Sequence, residues 1–158
     1  MSAQLPVEYV TAGTVAEALD LLADGDTRVV ASGYSLIPLL KDGIEQPDRL
    51  VDISALGELR GISRQDEHIE IGALTTHDRI AADETVRSHA RALADATDSV
   101  GDYMAKRQGT IGGKLLFANP EYDLPSAVVP LRATNVLPRP ERRRRGDPAE
   151  WVRRPDDP

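Results

Sequence analysis

Two short stretches join glycine to residue types able to hold an anion. In "VVASGYSL", residues 29–36, an apolar pair runs into Ser32-Gly33 and on towards Leu36. A strand that turns there into a helix leaves amides unpaired at the positive end of the helix dipole, where a phosphate binds well. In "GTIGGK", residues 109–114, Gly112 and Gly113 remove two Cβ atoms beside the hydroxyl of Thr110 and the ammonium of Lys114. Bare main chain next to a hydroxyl and a cation suits a diphosphate. Each stretch by itself fits an ordinary turn equally well, because glycines, single or paired, are commonest in turns.

Other chemistries have less to stand on. The spacing around Lys114 departs from G-x-x-x-x-G-K-[ST], and Leu115 follows where a magnesium-binding hydroxyl would be, which disfavours nucleotide hydrolysis. No G-x-G-x-x-G opens a βαβ unit, so an ordinary Rossmann NAD site is disfavoured too. Ser35 lacks the second glycine of a nucleophile elbow and reads as a helix cap. His68, His77 and His89 match no zinc spacing, so strand-surface or capping roles account for them and no metal site is expected. Carboxylate pairs such as Asp98 and Asp102 look like a solvated acidic face. Zero cysteines exclude disulfides, a cysteine-held iron–sulfur cluster and a thiol nucleophile, so redox chemistry needs a borrowed cofactor.

These residues must be positioned by a small frame. The 158 residues, 41% of them hydrophobic, suit one domain or two small lobes. A net charge of -7 repels polyanions, so nucleic acid and anionic membrane are not expected partners. There is no basic leader followed by an apolar segment and no run of 18 apolar residues; a soluble, cytoplasmic protein is expected. Charge is uneven: residues 1–137 hold 12 Lys/Arg against 21 Asp/Glu, net -9, and residues 138–158 hold 7 against 5, net +2. The proline-repeating tail with Arg142 to Arg145 has no apolar periodicity and is expected to be disordered.

In the body, Val15, Ala18, Leu19 and Leu22 form a helical stripe, with Thr14 and Glu17 at capping-box spacing. Residues 27–33 read as a buried strand, and Ser35 as the cap of a helical turn through Lys41. Strands are expected at "RLVDIS" and "HIEIGAL", and a helix after Thr75 or Thr76. Helix is expected again over roughly 84–98 and after Asp123 as a cap, with Pro125 in its first turn, and then a strand in "ATNVL".

The two glycine stretches say more together than apart. "VVASGYSLIPLLK", "PDRLVDISALGELRGI", "IEIGALTTH", "RQGTIGGKLLFANPEYDLPSA" and "LRATNVL" occur in the order and spacing of one family. The chain resembles the FAD-binding flavoprotein, or medium, subunit of the molybdenum hydroxylases, the group of carbon monoxide dehydrogenase and xanthine dehydrogenase, over residues 5 to 137. The resemblance implies an α+β, two-lobed FAD-binding fold of the vanillyl-alcohol oxidase type (PCMH-like). It implies an N-terminal α/β lobe over 1–55, a partial central lobe over 56–137 with FAD in the cleft, and a tail from 138 to 158.

By the same resemblance, the A-G-G-x-S loop matches Ala31, Ser32, Gly33, Tyr34 and Ser35, flanked by Val29, Val30 and Leu36. The T-I-G-G-x loop matches Thr110, Ile111, Gly112, Gly113 and Lys114; Val100 and Asp123 fall where further flavin contacts lie. Main-chain nitrogens of both bends are then expected to converge on one diphosphate. Ser32 stands where the first loop usually has glycine, so its Cβ would strain a left-handed backbone. The implied partners are an iron–sulfur small subunit and a large subunit with the molybdenum cofactor. Electrons pass through FAD to an acceptor such as NAD, oxygen or a quinone, and no side chain here acts as acid or base. Members of the family continue past "LRATNVL", so the chain reads as C-terminally truncated. The contrary expectation is a non-catalytic remnant or interaction module without stable flavin.

Overall fold

The computed structural model of the protein describes residues 7–117, 123–137 and 144–146. The chain divides into two compact units, the first ending at Gly57 and the second starting at Glu58.

In the first unit, strands β1 (Glu8–Thr11), β2 (Thr27–Val30) and β3 (Arg49–Asp52) alternate with helices α1 (Val15–Leu22) and α2 (Leu36–Lys41). The sheet has the order β1-β3-β2 and is parallel throughout, with Val51 paired to both Val10 and Val29. Parallel neighbours need crossovers, and the two helices supply them. Buried Val30, Leu50 and Val51 make the sheet's contribution to the core, joined by Ala18 of α1. The capping box forms: the Glu17 N–H donates to Thr14 Oγ1 at 3.1 Å, while the Gly13 N–H donates to Glu17 Oε2 at 2.7 Å. The sequence pattern does not single out β1, whose side chains are mostly exposed. It is held instead by its ladder to β3, which no periodicity reports.

The second unit starts with a hairpin of β4 (Ile62–Arg64) and β5 (Ile69–Ile71). Among the described residues six α-helices follow: α3 (His77–Ala82), α4 (Glu84–His89), α5 (Arg91–Asp98), α6 (Tyr103–Gln108), α7 (Ile111–Phe117) and α8 (Asp123–Val128). Its core gathers Ile80, Val86, Leu93, Ala94, Ile111, Leu124 and Val128, with Ile62, Ile69 and Ile71 packed against it. The helix expected over 84–98 is two helices broken at Ala90, and Asp83 caps the first through the N–H groups of Thr85 and Val86.

Two expectations are corrected. Gly112 and Gly113 lie inside α7, not in a turn, because Thr110 caps that helix and Ile111 anchors it in the core. Within the segment expected to be disordered, Arg144–Gly146 forms β7, antiparallel to β6 (Asn135–Leu137); main-chain hydrogen bonding gives these three residues order that their composition does not suggest. The rest of that tail lies outside the described residues. Among the described residues, no helix is long and apolar enough to cross a membrane.

Candidate functional site

The first bend leads out of β2. Val30 is buried, and Val29, Ala31, Ser32, Ser35 and Leu36 are half-buried around a buried Gly33, while Tyr34 is exposed. Gly33 has φ +76°, and a Cβ there would stand 2.7 Å from Ile37 Cγ1, so both conformation and space call for glycine. The Ile37 N–H donates to the Gly33 carbonyl oxygen at 2.8 Å, which winds the chain into α2. Ser35 occupies the N-cap position as expected, but its hydroxyl makes no capping bond. Among the described residues, the amides of Ser32, Gly33, Tyr34 and Ser35 donate to no protein acceptor. Arg132 is the non-glycine residue with positive φ among them, so Ser32 does not carry the left-handed strain its Cβ would have caused.

The second bend runs antiparallel along residues 73–77 and spends its donors there. The Ile111 N–H donates to Thr75 O at 3.0 Å, the Gly112 N–H to Ala73 O at 2.8 Å, and the Lys114 N–H to Thr110 O at 3.0 Å. Thr110 is 5% exposed and its hydroxyl accepts from the Gly113 N–H at 3.3 Å. A Cβ on Gly112 would stand 2.7 Å from Ala73 Cβ and 2.8 Å from Ala73 O. This glycine therefore admits the turn at Ala73 of the protein itself, and Ile111 is core. The expectation that the main-chain nitrogens of Ile111 and Gly112 reach a diphosphate is corrected: a peptide N–H already paired with a protein carbonyl has no donor left to offer.

Three of the residues singled out from sequence do come together. Val100, Lys114 and Asp123 line a cavity of about 300 Å³ in the second unit, with His77, Thr97, Ser99 and Asp102. The loop between α5 and α6 supplies one wall. Asp102 caps α6 by accepting from the Ala105 N–H at 2.7 Å, and the Ser99 hydroxyl donates to Asp123 Oδ2 at 3.1 Å, joining that loop to the start of α8. Burial lowers the pKa of Lys114 below the usual lysine value. His77 is 3% exposed, and burial, followed by the Lys114 charge, lowers its pKa to about 4, so its ring is neutral near pH 7. With one ammonium, two carboxylates and a neutral imidazole, the lining suits a hydroxyl-bearing group better than a dianion.

His77, Ser99 and Asp102 were not legible as site residues. His77 is neither on a strand surface nor a cap; it opens α3 and turns into the interior. The nearest signal was the Gly101-Asp102 pair ahead of the helix-forming "YMAKRQ", which marks a cap but no cavity.

Residues 5–158 match the model of the family described as the FAD binding domain in molybdopterin dehydrogenase. The chain belongs to this family. Among relatives of this FAD-binding domain, the glyceraldehyde dehydrogenase medium chain of Sulfolobus acidocaldarius is 38% identical over 130 residues, covering 82% of this chain and 46% of its own. The carbon monoxide dehydrogenase medium chain of Hydrogenophaga pseudoflava is 34% identical over 139 residues, or 87% and 48%. Among solved structures, carbon monoxide dehydrogenase from Hydrogenophaga pseudoflava aligns with a TM-score of 0.87 at 31% identity, over 94% of this chain and 52% of that one. Quinoline 2-oxidoreductase from Pseudomonas putida 86 gives 0.86 at 29% identity, over 93% and 52%. The chain thus spans about half the length of the relatives it matches. Its mixed helix and strand architecture is theirs, and FAD is the cofactor of the family.

Proposed function

We propose that this domain holds FAD as the electron-transfer component of a molybdenum hydroxylase complex, within a two-lobed fold of the vanillyl-alcohol oxidase type. In the first unit, the FAD contacts are Val29, Val30, Ala31, Ser32, Gly33, Tyr34, Ser35 and Leu36, with the diphosphate on the loop amides. The observation that carries this reading is the run of amides from Ser32 to Ser35, without an acceptor among the described residues, around a left-handed Gly33. In the second unit, Val100, Lys114 and Asp123 contact an uncharged, hydroxyl-bearing part of the cofactor, which the charge balance of their cavity supports. Thr110, Ile111, Gly112 and Gly113 serve the site indirectly, by setting α7 and hence Lys114 in place.

FAD, when bound, supplies one-electron acceptance and two-electron delivery, chemistry that no side chain of this cysteine-free protein offers. The proposed partners are an iron–sulfur small subunit that delivers electrons and a large subunit that carries the molybdenum cofactor; NAD, oxygen or a quinone is the final acceptor. The chain's own part is to bind and orient. Titration of the purified protein with FAD tests this: saturable quenching of flavin fluorescence at micromolar protein is expected. A folded sample that leaves the fluorescence unchanged defeats the reading.

A further inference from the structure

Among the described residues, Nδ1 of His77 is the buried side-chain polar atom left without a hydrogen-bond partner. Gly109 fixes the orientation of the ring. A Cβ at position 109 would stand 3.0 Å from Cδ2 and 3.1 Å from Nε2 of His77, so that edge lies against the turn and Nδ1 lies on the opposite edge. The backbone N–H of His77 donates to the Gly109 carbonyl oxygen at 3.1 Å and ties the start of α3 to the same turn. The ring also lines the cavity, with Thr97, Lys114 and Asp123. Two of these neighbours are already engaged: the Thr97 hydroxyl donates to Leu93 O and Ala94 O, and the Asp123 carboxylate accepts from Ser99. A buried ring nitrogen with no partner is a standing cost that a polar atom of a ligand removes.

We propose that Nδ1 of His77 is a ligand-binding atom of this cavity, exchanging one hydrogen bond with an uncharged hydroxyl of the bound molecule. The inference deepens, and rests on, the reading of the cavity as part of the FAD site. A neutral imidazole has one donor and one acceptor nitrogen, and a hydroxyl can answer either, whatever the tautomer. A phosphate oxygen could answer only a donor, and would sit beside the carboxylates of Asp102 and Asp123. Nδ1 is closed to bulk water, so a hydrogen bond formed there with a ligand does not compete with solvent.

The test compares His77→Asn, His77→Gln and His77→Leu by FAD titration and thermal melting. The asparagine carboxamide puts a polar atom near the position of Nδ1, and the longer glutamine reaches that of Nε2. Leu and Gln are expected to weaken FAD binding by about tenfold, whereas Asn stays within about threefold of the wild type. Equal affinity in all four folded proteins overturns the proposal. So does a loss in which Asn is no better than Gln, since the ring then acts by packing alone. If the leucine variant does not fold, the Asn–Gln pair decides. A wild type that takes up no FAD brings down the site reading and this inference together, while uptake indifferent to position 77 removes this inference only. Repeating the titration with FMN locates the hydroxyl: a loss shared by FMN puts it on the ribityl chain, a loss confined to FAD puts it on the adenosine ribose, and either supports the proposal.

Discussion

From Ser32 to Ser35 the main chain turns with amides that meet no acceptor among the described residues, and Gly33 is there because the backbone is left-handed. From Ile111 to Lys114 the amides are consumed by Ala73, Thr75 and Thr110, and Gly112 is there because Ala73 is 2.7 Å from where its Cβ would be. Both stretches read as small residues beside a hydroxyl, yet one leaves donors for a ligand and the other has used them to build the second unit. The difference teaches that a glycine-rich motif marks a close approach without saying of what. It marks a ligand only where the neighbouring N–H groups stay unpaired.

The contrast can be broken experimentally. The largest effect is expected from pH, through His77, whose backbone bonds to the turn that opens the second stretch. Its folded pKa, about 4, lies below its ordinary 6.5, so the unfolded chain binds the extra proton between these values. The protein is therefore expected to be fully stabilised by this group above pH 6.5 and to lose up to about 3 kcal/mol as pH falls towards 4. Urea titrations across that window should show the slope in the wild type and its absence in His77→Leu; a slope common to both would assign the acid sensitivity elsewhere. Next is Gly112→Val, which forces side-chain atoms into Ala73 and is expected to cost about 2 kcal/mol of stability in denaturant melts. Unaltered stability would mean that the contact with Ala73 is not tight.

Gly33→Val puts a β-branched residue at φ +76° and is expected to weaken FAD binding by at least about tenfold, roughly 1.4 kcal/mol, read by fluorescence quenching. Full retention of affinity by a folded variant would move the diphosphate away from the first bend. Thr110→Val removes the acceptor for the Gly113 N–H and is expected to cost about 1 kcal/mol of stability, with Thr110→Ser near neutral. If serine fails to rescue, the hydroxyl is not acting as the cap. The smallest effect is expected at Gly113→Ala, within about 1 kcal/mol, since a Cβ there meets only the Thr110 hydroxyl at 3.0 Å and alanine favours the helix. A change there as large as that at Gly112 would erase the distinction between the two glycines.

Much of the frame was legible. The Thr14–Glu17 cap, the strands at 27–30 and 49–52 and the helix from His77 are local, since short-range hydrogen bonding and side-chain periodicity write them into neighbouring residues. So was the family, because the spaced glycine stretches recur as a set. The fate of individual donors was not. Whether the amides of Ile111 and Gly112 are open or spent depends on residues 73–75 lying alongside them, nearly forty positions earlier in the chain. His77 and Asp102 join Lys114 and Asp123 around one cavity only because α3, α6, α7 and α8 pack as they do. Residue types and spacing by themselves determined which chemistry this protein has at hand. Packing alone decided which groups remain available for it, because hydrogen bonding and burial are settled between segments remote in the chain.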